Sequence, residues 1–134
     1  VLVEDDIDDQ ILFQEIIEDI GVKNEIRIFG NACEALEFLS SNTRPLFIII
    51  SDINMPKSGG LHLKLEIEAN PKLKRACTPF VFFSTSAIQE HIELAYKSMN
   101  IQGFFTKKND YKETRDQIKV ILEYWQTCKF PNTF

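Results

Sequence analysis

The stretch Leu46–Pro56, LFIIISDINMP, decides the fold. From Leu46 to Ile50 every residue is apolar; Ser51 and the carboxylate of Asp52 follow, then Asn54, Met55 and Pro56. Such a run is short for a core helix and reads as a strand buried on both faces, as in parallel sheets. The strand ends on an acid. A solvated loop carboxylate is the ordinary explanation, and the other strand ends decide whether it suffices.

Outward from this run, strands and helices alternate. Val1–Val3 reads as a first strand, with a few of its residues expected to precede Val1. Ile11, Leu12, Ile16, Ile17 and Ile20 recur at helical spacing from Asp9 to Ile20, and Gly21 is the expected C-terminal stop. NEIRIFG (24–30) predicts a second strand, and Asn31 caps a helix carrying Ala32, Ala35, Leu36 and Leu39. After LFIIIS (46–51), a helix is expected over Leu61–Ala69, ended by Asn70-Pro71. PFVFFS (79–84) is a fourth strand, Ile88–Met99 a helix, GFFT (103–106) a fifth strand, and Tyr111 to about Cys128 a final helix. Strand–helix alternation five times over predicts a doubly wound parallel sheet with helices on both faces.

The totals fit one domain. The chain has 134 residues, 44% hydrophobic and 26% charged, with eleven phenylalanines against one tryptophan. A single unit over residues 1–134 with no output domain is the expectation. A net charge of −5 argues against nucleic-acid binding, which needs clustered Lys and Arg. No apolar run is long enough to span a bilayer and no signal peptide is visible, so no membrane partner is expected. Cys33, Cys77 and Cys128 have no metal-ligand spacing and read as reduced, buried fillers, which places the chain in the cytoplasm.

In open α/β sheets, ligands bind at the carboxyl ends of the strands. Glu4, Asp5 and Asp6 follow the first strand, Asp52 the third, Ser84, Thr85 and Ser86 the fourth, and Lys107 the fifth. Acids, hydroxyls and one lysine therefore converge on one rim. Glu4, Asp5 and Asp52 together carry three negative charges against Lys107, an imbalance that a divalent cation relieves. Hard oxygen donors in an open site favour Mg²⁺. A cation beside a carboxylate, a hydroxyl and an ammonium suits phosphoryl transfer, and a carboxylate can itself be the nucleophile. Asp52 is the best-placed candidate. Asp6, Asp8 and Asp9 are read partly as charges favourable at a helix N-terminus.

LVEDD (2–6), DINMP (52–56) with Gly60, FFSTSA (82–87) and FFTKK (104–108) together resemble the receiver domain of two-component response regulators, in order and across essentially the whole chain. The resemblance implies a flavodoxin-like, five-stranded parallel sheet of order 2-1-3-4-5 with five helices. It implies that Asp52 accepts a phosphoryl group from a histidine kinase or a histidine phosphotransfer protein. Asp5 and Asp52 would ligate Mg²⁺, with Glu4 acting through a water and Asn54 through its backbone carbonyl. Thr85 would hydrogen-bond the phosphoryl oxygens, Lys107 would pair with Asp52, and Phe104 would be a switch aromatic. A downstream protein target is implied but not identified. Ser84, Ser86 and Lys108 are the local competitors for the Thr85 and Lys107 roles.

Two departures stand out. Lys108 occupies the place where the family has a proline on a cis bond, so a trans Lys107–Lys108 peptide and a re-routed loop are expected. The glycines of KSGG (57–60) predict a looser loop beside the metal. Asn54 stands where a haloacid-dehalogenase-like phosphatase would need a second Asp, and a pseudo-receiver would lack an acid, the Thr or the Lys, so both are weaker alternatives. Tyr124, Trp125, Phe130 and Phe134 either pack on the core or form a partner surface, for a monomer or weak homodimer.

Overall fold

The computed structural model describes residues 1–55, 59–85 and 88–129, so Pro56, Lys57, Ser58, Ser86, Phe130 and Phe134 lie outside the described residues. Five strands form one parallel sheet in the order β2-β1-β3-β4-β5. They are β1 (Leu2–Val3), β2 (Ile28–Phe29), β3 (Ile49–Ser51), β4 (Phe80–Ser84) and β5 (Gly103–Thr106). The helices are α1 (Ile7–Ile20), α2 (Ala32–Ser41), α3 (Gly60–Ala69), α4 (Pro71–Ala76), α5 (Gln89–Ser98) and α6 (Tyr111–Thr127). The expected doubly wound, flavodoxin-like sheet and its strand order are both present.

Period-two alternation along the strands divides the interior in two. Val3, Ile49, Phe80 and Phe82 face one layer, where Ala35 and Leu39 of α2, Leu63 and Ile67 of α3 and Ala95 of α5 pack. Leu2, Ile50, Val81 and Phe83 face the other, against Phe13, Ile16 and Ile17 of α1 and Ile118, Ile121 and Leu122 of α6. Both faces of β3 and β4 are thus covered, which is why LFIII and FVFF show no polar alternation. Trp125 packs partly against the second layer, and Tyr124 stands 62% exposed beside it.

Caps define the helix ends. Asp6 Oδ1 accepts from the Asp9 amide at 3.1 Å and Asn31 Oδ1 from that of Glu34 at 2.9 Å, while Gly21 closes α1 at φ 83°.

Five expectations are corrected. There are six helices among the described residues, not five. Asn70-Pro71 does not simply end a helix. Asn70 Oδ1 accepts from Lys72 and Leu73, and Pro71 at the first helical position starts α4. The second strand keeps only Ile28–Phe29 of NEIRIFG, because the short β1 is its one ladder partner. Cys33 and Cys77 are exposed and Cys128 half-buried, so the thiols do not fill the core. Finally, Gly59 and Gly60 are a tight contact and not a slack one. A Cβ on Gly60 would stand 2.0 Å from the Asp52 carbonyl oxygen, and one on Gly59 2.4 Å from that of Ile53. The Lys107–Lys108 peptide is trans, as expected.

The glycine contact yields a prediction. Gly60→Ala must push α3 off the backbone after β3 and is expected to cost about 2–3 kcal/mol. Gly30→Ala, where nothing lies within 4 Å of the added Cβ, should change stability by less than about 0.5 kcal/mol. Urea unfolding of both variants tests this; equal effects would contradict it.

Candidate functional site

The site is assembled by strand ends. β1 runs into Glu4, whose amide donates to Phe29 O at 2.9 Å, and Asp52 follows β3 with its amide donating to Val3 O at 2.9 Å. These bonds extend the ladder by one residue beyond each strand and so fix the two acids side by side. β5 delivers Lys107, whose amide donates to Ser84 O at 2.8 Å. Asp52 is held further: the Ile53 amide donates to its Oδ1 at 2.7 Å, and Ser51 Oγ donates to its carbonyl at 2.8 Å. Its carbonyl also meets Gly60, so the start of α3 braces the acid from behind.

Three carboxylates, Glu4, Asp5 and Asp52, present oxygens that all lie within 4.8 Å of one another. Glu4 and Asp52 are buried, at 3% and 7% exposure, and Asp5 is exposed. Lys107 Nζ donates to Glu4 Oε2 at 2.6 Å, to Asp9 Oδ2 at 2.9 Å and to Asp52 Oδ2 at 3.4 Å. All three ammonium protons are therefore engaged. Asp9 is the member whose contact with Lys107 the sequence does not reveal; there it reads partly as a helix-dipole charge. It sits in the first turn of α1, and Asp6 caps that turn, so the cap orients Asp9 toward the rim.

The electrostatics are unbalanced. Burial pushes the Glu4 carboxyl up to about 7, against the pull of Lys107, and the nearby Asp52 charge adds to the rise. The Glu4 and Asp9 carboxylates push the Lys107 ammonium up despite its own burial. Four acids around one base leave a formal excess of three negative charges, and Asp5 pairs with no base among the described residues. An oxygen-only cluster with buried and exposed members, in negative excess, fits a hard divalent cation that keeps some waters.

The other expected residues fall on the same rim. Thr85 follows β4 and is exposed, whereas Ser84 is fully buried; Ser86 lies outside the described residues. Asn54 is exposed two residues beyond Asp52. Lys107, and not Lys108, reaches the acids. Phe104 of β5 is half-buried, its ring 5.9 Å from that of Phe82.

Comparison with known proteins agrees with this geometry. The family profile of the response regulator receiver domain matches residues 1–119. Response regulator Rcp1 of Synechocystis sp. is 29% identical over 138 residues, covering 98% of this chain and 91% of the relative. The crystal structure of the phosphorylated cyanobacterial phytochrome response regulator RcpA superposes with a TM-score of 0.87 at 29% identity, covering 98% and 96% of the two chains. The Mn²⁺-bound form of Rcp1 gives a TM-score of 0.85 at 28% identity, with the same coverage.

The raised Glu4 carboxyl has a consequence for stability. In the unfolded chain it ionises near 4.5, so between that value and about 7 the folded protein holds a proton that the unfolded chain has lost. Its contribution therefore falls as pH rises through this window. Lys107 stays charged throughout. The difference between melting with Mg²⁺ and with chelator isolates the acid cluster. Mg²⁺ should raise Tm by several degrees more at pH 8 than at pH 5.5; a pH-independent difference would contradict the reading.

Proposed function

The chain belongs to the response regulator receiver family, and from that premise we propose that Asp52 accepts a phosphoryl group from a phosphohistidine on a histidine kinase or histidine phosphotransfer protein. The observation that carries this is the position of Asp52. Its carboxylate stands at the end of a doubly buried strand, 3.4 Å from Lys107 Nζ and grouped with Glu4 and Asp5. A phosphorylated RcpA and a Mn²⁺-bound Rcp1 among the similar structures support both phosphorylation and a divalent cation here.

An Asp52 oxygen attacks phosphorus, the P–O bond forms as the P–N bond breaks, and the electron pair stays on the donor imidazole nitrogen. The product is an acyl phosphate. Asp5 and Asp52, the carbonyl of Asn54 and, through a water, Glu4 are the residues that would hold Mg²⁺, whose chemistry there is neutralisation of the carboxylate and phosphoryl oxygens. Lys107 stabilises the charge on the incoming group. Its longest contact is the one to Asp52, so that proton is the one most readily turned to a phosphoryl oxygen. The exposed Thr85 hydroxyl donates a further hydrogen bond.

The signal follows from the same two strands. Phe82 and Phe104 are partners across β4 and β5, and Thr85 lies three residues beyond Phe82. Movement of Thr85 toward the phosphoryl group would let Phe104 rotate inward and change the surface of α5, β5 and α6. This is a local charge event biasing a two-state element. A downstream protein reads that surface, or the phosphoryl group passes onward in a relay, with the chain acting as monomer or weak homodimer.

The test is intact mass after incubation with acetyl phosphate. A gain of one phosphoryl group is expected with Mg²⁺, with at least about a tenfold slower gain in chelator, and none in Asp52→Asn. No gain in wild type, even from a histidine-phosphorylated donor, would point to a pseudo-receiver. A gain surviving in Asp52→Asn would mean that another carboxylate is the acceptor.

A further inference from the structure

At the edge of the sheet opposite Asp52, where β3 and β4 begin, lies a cavity of about 440 Å³ that the phosphoacceptor chemistry does not use. Its volume is that of a small-molecule site. Leu46, Ile49, Ile67 and Leu73 form an apolar wall. Lys64, from the middle of α3, is 4% exposed and projects into the same layer as Leu63 and Ile67.

A buried ammonium is costly, and an aliphatic side chain at such a position is commonly as stable or more so. Among the described residues, Lys64 is compensated by two groups: Glu68 Oε1 at 2.9 Å and the face of Phe80 at 5.2 Å. Glu68 and Phe80 also line the cavity. An ammonium has three N–H donors. One goes to Glu68 and one can address the ring, which leaves a donor without a protein acceptor among the described residues. The rim adds charge of the same sign. Arg44 and Lys74 line the cavity and meet no carboxylate among the described residues, and Lys72 lines it while donating to Ser40 O and Asn42 O at 2.9 Å. Four cations against Glu68 make this end positive in a chain whose net charge is −5. The two non-glycine residues with positive φ among the described residues, Cys77 at 52° and Asn100 at 50°, both line this cavity.

We propose that this cavity binds a small organic carboxylic acid, its aryl or alkyl body against the apolar wall and its carboxylate on the spare donor of Lys64. A monocarboxylate suits a single buried ammonium that already shares one carboxylate, and the basic rim attracts its charge. The site is distinct from the acid cluster, since no residue of that cluster lines it.

The test uses 1-naphthoate as the probe and its uncharged amide as the control, titrated into the ¹⁵N-labelled full chain. Naphthoate should give saturable chemical-shift changes with a Kd of about 1 mM or tighter, confined to residues 39–46, 64–80 and 100–102. The amide should bind at least about tenfold more weakly, and Lys64→Met should abolish the preference for acid over amide. No saturation, shifts centred elsewhere, or amide binding as tight as the acid would overturn the proposal. So would an unchanged preference in Lys64→Met. The wild-type comparison stands alone if that variant does not fold.

Discussion

One ammonium group, Lys107 Nζ, sits among the carboxylates of Glu4, Asp9 and Asp52, and the sheet is arranged around that meeting. The four groups come from positions as much as 103 residues apart in the chain. Only parallel strands ending on one edge bring them together. A buried carboxylate needs a partner, and a single lysine cannot satisfy this many. The site is therefore held in deliberate deficit, with Asp5 exposed beside it. Under the proposed function, a cation and a phosphoryl group would act on that deficit in opposite directions, so one locus would both receive a charge and report it.

The backbone around Asp52 is correspondingly stiff. Its carboxylate, amide and carbonyl each have a fixed partner, and Gly60 brings α3 to within contact of its carbonyl. Small displacements of a nucleophile cost rate steeply, so this bracing suits the role proposed for Asp52. The same α3 carries Lys64 to the opposite edge of the sheet. One rigid helix thus touches the acidic cluster at its start and the basic cavity along its length.

Much of this was legible in the sequence because buried parallel strands leave a plain signature. LFIII and FVFF announced β3 and β4, and reading the residue after each strand brought Glu4, Asp5, Asp52 and Lys107 to one rim. What escaped had physical reasons. Leu46 and Phe47 are apolar because they pack, yet they lie outside the ladder. NEIRIFG alternates well, but an edge strand is only as long as its neighbour allows. Pro71 is equally suited to ending one helix and starting the next, and only the Asn70 cap decides. Asp9 looked like a dipole acid because the cap that turns it toward Lys107 is a three-dimensional fact. Lys64 gave no signal at all, since a lysine followed four residues later by a glutamate is an ordinary exposed helix pair.

The central claim is that the carboxylates around Lys107 form one cation-dependent phosphoacceptor site. Anomalous diffraction from crystals grown with Mn²⁺ tests its architecture most directly. The account predicts one strong peak between the carboxylates of Asp5 and Asp52, within bonding distance of the Asn54 carbonyl oxygen. An empty cluster at saturating Mn²⁺, or a peak that leaves Asp52 without a bond to the metal, would contradict it.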